Sequence, residues 1–256
     1  MTNAMYDDDL ISSKIAGYSV LFKPNAGEQM TLFWKLISEV SKEEKEGDVT
    51  ESGDCRRVLF HDKRCRCWLV EYRGKKYLFK LDKRDRHRID YRVQSFFLGS
   101  NAMRLMRTLH KAFRSGFRGA AEIFLVADKC FCGCVLHSFF LQEYVEGHDL
   151  KDASPEFYKN YGKEAAKIIR TLHRFGCTHG DAHRGNFILE ASSGHLKTID
   201  VGGKIPSAPQ MATDRLRLEK EWGVKNKLFD WGYYWVKIHK SWRHFHLRDF
   251  LPHHHA

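Results

Sequence analysis

Apolar residues recur at three- and four-residue spacing from residue 28 to residue 40. Met30, Phe33, Trp34, Ile37 and Val40 fall on one side, which predicts an amphipathic helix. The acidic stretch that follows, to Glu51, reads as a loop. The pattern then shortens. Residues 57–61, 68–72 and 76–81 are strand-like runs joined by Asp62-Lys63-Arg64 and Arg73-Gly74-Lys75, both turn-like. A helical region is predicted over residues 94–113, and two more strands over 121–128 and 135–142, around a cysteine-rich turn.

Residues 155–175 form a further helix, with Phe157, Tyr161, Ala165, Ile168, Ile169 and Leu172 on one side and Gly176 placed to stop it. Two short strands follow, 187–189 and 196–199, joined by Ala191-Ser192-Ser193-Gly194. Phe229-Asp230-Trp231-Gly232 opens a late helix. The order predicts an α+β chain in two lobes. Residues 1–50 are an N-terminal extension carrying the amphipathic helix. Residues 51–143 are a small antiparallel β lobe with a helix, and residues 144–256 a larger, mainly helical lobe. A length of 256 residues suits such a division.

Candidate chemistry concentrates in His179-Gly180-Asp181-Ala182-His183-Arg184-Gly185-Asn186 and in Ile199-Asp200-Val201-Gly202. The predicted hairpin between them returns both ends to one point. An Asp that orients a hydroxyl, with an Asn and an Asp that hold magnesium, is the working set of a phosphotransferase of protein-kinase type. In a loose phosphoryl-transfer transition state the protein mainly positions groups and neutralises charge. Magnesium takes oxygen ligands in near-octahedral geometry. The amide of Asn186 and the carboxylate of Asp200 suit it, with ATP phosphates in other positions, while Asp181 accepts the proton of the acceptor hydroxyl. Lys80, at the end of the third strand of the small lobe, is placed to pair with ATP phosphates. Glu143 and Val145, just after the fifth strand, are where backbone groups would grip the adenine edge. Asp230 is expected to hydrogen-bond the backbone of the catalytic loop, or else to act as an ordinary acid at its helix start.

The formal net charge is +11. Positive charge is dense over residues 80–92 and 104–118. It is compatible with a solvated face or with an anionic partner: nucleic acid, acidic lipid headgroups or a phosphorylated glycan. Seven cysteines, including Cys65, Cys67, Cys130, Cys132 and Cys134, read as small strand fillers or as zinc ligands at unusual spacing. No run approaches the ~20 apolar residues of a membrane span. The acidic start, Met1 to Asp9, lacks the order of a secretory signal. The expectation is a cytoplasmic protein, soluble or peripheral on the inner face of the inner membrane.

From His179 to about Lys240 the chain resembles the lipopolysaccharide core heptose kinases. GDAHRGNFI, IDVGGK, ATDRLRLEKEWGVKN and FDWGYY follow in that family's order and spacing, and the likeness thins over the small lobe. The resemblance implies a protein-kinase-like fold, ATP and magnesium, and a lipopolysaccharide core glycolipid as acceptor, not nucleic acid. It implies that Asp181 is the catalytic Asp, Asn186 and Asp200 the metal ligands, and Lys80 the phosphate-binding lysine. It places His183 or Arg184 near the transferred phosphate.

The chain also departs from protein kinases. It has no G-x-G-x-x-G between its first two predicted small-lobe strands, has HGD in place of HRD, and has no A-P-E. From Tyr91 to Ala121 there is no Asp or Glu, so the expected helix partner of Lys80 is missing, and Asp85, Asp90 or Glu122 are the substitutes. Three other readings follow from these features: a small atypical protein Ser/Thr kinase, a small-metabolite phosphotransferase, or a pseudokinase that binds partners without turnover.

Overall fold

The structure is a computed structural model and describes residues 10–46, 52–53, 56–62, 64–83, 95–96, 99–225 and 230–239. It divides into two compact units, residues 1–146 and 147–256.

The first unit contains β1 (Ile11–Ile15), β2 (Tyr18–Phe22), α1 (Gly27–Glu46), β3 (Ser52–Gly53), β4 (Arg56–His61), β5 (Cys65–Tyr72), β6 (Lys75–Asp82), α2 (Asn101–Arg114), β7 (Ile123–Phe131) and β8 (Cys134–Glu143). The strands form one antiparallel sheet in the order β1-β2-β7-β8-β6-β5-β4-β3. Its middle five strands, β7-β8-β6-β5-β4, have the order of a protein-kinase small lobe. Three hairpins turn on a residue–glycine pair with positive φ: Ala16-Gly17, Arg73-Gly74 and Cys132-Gly133. That is the backbone a two-residue turn needs to match the twist of its strands.

One sheet face is covered by α1. Leu32, Phe33, Leu36, Ile37 and Val40 are buried against Trp68, Val70, Phe79, Phe139 and Leu141. Phe79 is the hub, with ring centroids 5.8 Å from Phe33, 5.5 Å from Trp68 and 5.6 Å from Phe139. Because side chains alternate along a strand, Tyr77, Phe79 and Leu81 face α1 while Leu78 and Lys80 face the other way. All five are buried, so β6 is covered on both faces.

Two expectations are corrected here. Residues 10–46 are not a separate extension. β2 pairs with β7 from Tyr18↔Lys129 to Phe22↔Leu125, and Val20 and Leu21 are almost fully buried. The edge of the sheet would otherwise present unpaired backbone groups, and β2 covers it. The acidic stretch after Val40 is not loop at its start, because α1 continues to Glu46. Residues 47–51 lie outside the described residues, as do 84–94, which hold most of the first basic cluster. In the second cluster, Arg118 donates to the carbonyls of Phe113 and Phe117, and Arg104 to that of Gly99. Part of that charge therefore closes the ends of α2.

The second unit contains β9 (Gly147–Asp149), α3 (Pro155–Arg174), a 3-10 turn (Arg184–Asn186), β10 (Phe187–Glu190), β11 (Leu196–Thr198), α4 (Ala208–Trp222) and helix over residues 231–239. The three strands form a sheet in the order β11-β10-β9. Ser154 and Ser207 cap α3 and α4, accepting from Phe157 N and Gln210 N. The predicted hairpin is β10–β11, and β9 was not anticipated. Gly147 is required there, because a Cβ would lie 2.1 Å from Leu189 O.

Candidate active site

The loop that carries the candidate residues is held from beneath by a residue that sequence reasoning passed over. Asp214, on α4, is fully buried. Its Oδ2 accepts from His179 N at 2.9 Å and from His173 Nε2 at 2.8 Å, and its Oδ1 accepts from Gly180 N at 2.8 Å. A buried carboxylate is stable only when its oxygens are hydrogen-bonded, and these three donors satisfy it. Asp230, expected in this role, accepts instead from Gly232 N and Tyr233 N and pairs with Arg215. It caps its own helix, the alternative given for it above.

His179 is the second anchor. Its ring stacks on Phe187, with centroids 5.6 Å apart. Nε2 lies 2.6 Å from Thr198 Oγ1, Thr198 Oγ1 lies 3.1 Å from Asn186 O, and Asp181 N donates to Nδ1 at 3.4 Å. A neutral ring with its proton on Nε2 satisfies every contact: Nε2–H donates to Thr198, whose hydroxyl donates to the Asn186 carbonyl. Burial pushes the His179 pKa below its ordinary 6.5, against the pull of Asp214, Asp200 and Asp181.

The unfolded chain takes up a proton near pH 6.5 that the folded ring resists, so stability from this group is complete above that pH and falls as pH drops below it. Burial raises buried Asp128 on β7 to about 6, and that group pulls in the opposite direction at lower pH. His179→Gln isolates the first effect. Its melting temperature is lower than that of wild type at neutral pH, and the gap narrows as pH falls below 6.5. A gap that stays constant or widens would show that the ring is not held neutral.

Two glycines have backbone reasons. Gly180 has φ +84, which costs a side-chain-bearing residue roughly 1–2 kcal/mol, so the middle position of HGD follows from the loop's conformation. Gly202 donates to His179 O at 2.8 Å, and a Cβ there would stand 2.9 Å from that oxygen. The D-x-G glycine thus lets the turn after β11 lie against the catalytic loop. Asp200 itself has φ +54, an unusual backbone for a non-glycine residue.

On this frame the structure brings Asp181, His183 and Asn186 together. The Asp181 side chain is 54% exposed, with His183 Nε2 at 3.6 Å from Oδ2 and Arg217 Nη2 at 3.4 Å from Oδ1. Arg217, on α4, was not singled out from sequence. Asn186 is buried, and its Nδ2 donates to Asp181 O at 2.9 Å. That leaves Oδ1 as the atom it can offer a cation. Arg184 is drawn away: its Nε lies 3.7 Å from Glu221, which also pairs with Arg217. Of the two candidates near the transferred phosphate, His183 is the one beside Asp181.

The remaining predicted residues lie in the first unit. Lys80 is buried on β6, opposite Cys67 and Phe140, with Nζ 5.7 Å from the Phe140 ring centroid. Of its substitute partners, Glu122 pairs with Lys23, and Asp85 and Asp90 lie outside the described residues. Glu143 N donates to Glu122 O at 2.8 Å, so that amide is already used, and Val145 is buried. No group of three or more His, Cys, Asp or Glu able to hold a metal occurs among the described residues. Cys65 and Cys67 lie on β5, Cys130 on β7 and Cys134 on β8, all within strands. Nor is any helix among the described residues long and apolar enough to cross a membrane.

Comparison with known proteins bears on this geometry. Residues 10–250 match the family described as lipopolysaccharide core biosynthesis protein (WaaY). The lipopolysaccharide core heptose(II) kinase WaaY of Escherichia coli K12 is 32% identical over 152 residues, 59% of this chain and 64% of that protein. The chain thus aligns with just under two thirds of that relative. A second heptose(II) kinase WaaY from Escherichia coli is 27% identical over 236 residues, 92% of this chain and 96% of that protein. Among solved structures, WaaP in complex with acyl carrier protein aligns with a TM-score of 0.47 and 16% identity, over 73% of this chain and 81% of that one. A PknI kinase domain mutant from Mycobacterium tuberculosis aligns with a TM-score of 0.45 and 15% identity, over 68% and 77%.

Proposed function

The chain belongs to the WaaY family of lipopolysaccharide core biosynthesis proteins, and from that premise we propose that it is an ATP- and magnesium-dependent kinase that phosphorylates a heptose hydroxyl of the inner core. One observation carries the reading. The Asp181 carboxylate is open to solvent while the backbone beneath it is tied to buried Asp214. A general base needs both access to its proton donor and a fixed position.

The residues present fit the absent group. Asn186 Oδ1 and the Asp200 carboxylate are hard oxygen donors of the kind magnesium takes. When bound, magnesium–ATP supplies the phosphoryl group and the cation that neutralises its charge. Asp181 accepts the proton of the incoming heptose hydroxyl. Arg217 and His183, on either side of its carboxylate, limit its rotation. His183 would supply a second polar contact beside Asp181 for the transferred group, and Arg184 supports the loop through Glu221. Lys80 offsets the charge of the ATP phosphates. Backbone at Glu143 and Val145 would hold adenine, with the Val145 amide as donor because that of Glu143 already bonds Glu122. The acceptor is a glycolipid, so the protein works at a membrane surface from the cytoplasmic side.

The test is phosphate transfer from ATP to deep-core lipopolysaccharide prepared from cells lacking this protein. Mass spectrometry should show the gain of one phosphate on a heptose. Lys80→Met, with its circular dichroism unchanged, should bind magnesium–ATP roughly 10- to 100-fold more weakly, the range for losing a hydrogen bond to a charged group. Absence of transfer by wild type, with normal ATP binding, would favour the pseudokinase.

A further inference from the structure

Between α3 and α4 lies a cavity of about 640 Å3 that the proposed chemistry does not use. Lys159, Lys163, Arg170 and Lys225 stand on its rim, all exposed. The first three recur along one face of α3, and among the described residues no acidic one lines the cavity. Its walls are apolar: Ala166, Ile169, Leu218 and Trp222 are buried there, and Val224 closes one side. Gly162 lets α3 approach that side, since a Cβ would lie 3.0 Å from Val224 Cγ2 and 3.3 Å from Trp222 O.

A second observation adjoins the first. Arg215 lines the cavity and pairs with Asp230, at the start of the helix over 231–239. Along that helix Trp231, Trp235 and Ile238, at i, i+4 and i+7, are 77%, 67% and 60% exposed. A cationic rim, an apolar wall and an exposed aromatic stripe are thus joined through one ion pair.

The combination selects among anions. A free phosphate needs only the rim. A polyhydroxylated sugar phosphate needs polar wall groups, which are few here. A phospholipid uses both parts, its phosphate at the cations and its acylglycerol portion against the wall. Tryptophan rings settle at headgroup level of a bilayer, and Lys and Arg are drawn to anionic leaflets. We propose that the α3–α4 cavity and the Trp231–Trp235–Ile238 stripe dock the protein onto an anionic phospholipid at a membrane surface. This deepens the reading of the protein as a glycolipid kinase, yet it stands or falls without the transfer reaction.

The experiment uses the full chain with phosphatidylcholine vesicles, with and without phosphatidylglycerol, and with neither lipopolysaccharide nor ATP. Wild type should partition at least about tenfold more strongly onto the anionic vesicles, with a blue shift of tryptophan emission. Lys159→Ala/Lys163→Ala/Arg170→Ala should lose about tenfold or more of that preference, each charge near such a surface contributing roughly fivefold. Lys14→Ala/Lys42→Ala/Lys75→Ala removes three exposed charges that do not line the cavity and should stay within about twofold of wild type. Trp231→Ser/Trp235→Ser should lose the blue shift. These variants avoid His173, which lines the cavity but also holds Asp214. Equal binding to both vesicles, or equal losses in the rim and control variants, would overturn the proposal. So would calorimetry in which glycerol phosphate binds as tightly as a short-chain phosphatidylglycerol, because the wall would then play no part.

Discussion

Asp181→Asn should lower phosphate transfer by roughly 10²- to 10⁴-fold, the usual contribution of a positioned general base, while leaving the affinity for magnesium–ATP nearly unchanged. The structure makes this substitution unusually clean. Asn186 is held by the backbone carbonyl of Asp181, not by its carboxylate, and Asp181 N reaches His179. Both contacts survive the exchange. What is lost are the contacts to His183 and Arg217, made by a half-exposed carboxylate and worth at most about 1 kcal/mol. Stability should therefore barely move. Single-turnover transfer to the core acceptor, beside calorimetry with ATP, separates the two effects. Transfer at the wild-type rate would remove Asp181 from the site, and a parallel loss of ATP affinity would mean that the residue holds the loop and not the proton.

The parts of this site that were legible in the sequence are those whose signal is local. Asp181, Asn186 and Asp200 lie around one hairpin, and two short runs joined by Ala191-Ser192-Ser193-Gly194 located β10 and β11 between them. A strand-like run between turns placed Lys80 on β6, and three- and four-residue spacing put Phe33, Ile37 and Val40 on the buried face of α1, where Leu32 and Leu36 join them and Met30 and Trp34 are only partly buried. Asp214 was not legible, for a physical reason. It sits within Asp214-Arg215-Leu216-Arg217, an ordinary charged stretch on a helix, and its partners lie 34, 35 and 41 residues earlier in the chain. Nothing within a helical turn of Asp214 marks it as buried. Asp230 attracted the assignment because Asp followed by an aromatic residue at a helix start is conspicuous, but that feature is explained by capping alone.

β1 and β2 were missed on similar grounds. β1 is largely exposed, and β2 has only two fully buried side chains, so the membership of this hairpin in the sheet is set by the pairing of β2 with β7, more than a hundred residues away. The HGD glycine, by contrast, was noticed as a departure from HRD but could be explained only by its φ. Arg217 carries no sequence mark at all, and its place beside Asp181 is a consequence of Asp214 fixing α4 against the loop.

That dependence makes Asp214 the most damaging single truncation in the second unit. Asp214→Ala should destabilise the protein by about 3–5 kcal/mol, as His179 N, Gly180 N and His173 Nε2 lose their acceptor and each buried donor left unmade costs ~1–3 kcal/mol. Asp214→Asn is the sharper probe. Its amide oxygen can serve His179 N and His173, but its NH2 group then faces Gly180 N–H, donor against donor. The expected cost is about 1–3 kcal/mol, with Gly180 and the neighbouring Asp181 released from their fixed geometry. Turnover should fall in the Asn variant even at temperatures where the protein is fully folded, because the base is present but misplaced. Asp230→Asn, which alters only a cap and an ion pair, should cost about 1 kcal/mol and keep its activity. Urea unfolding and transfer assays on the three variants check the order Asp214→Ala, Asp214→Asn, Asp230→Asn. If Asp230→Asn proves the more harmful of the two Asn variants, the loop is anchored from the late helix and not from α4.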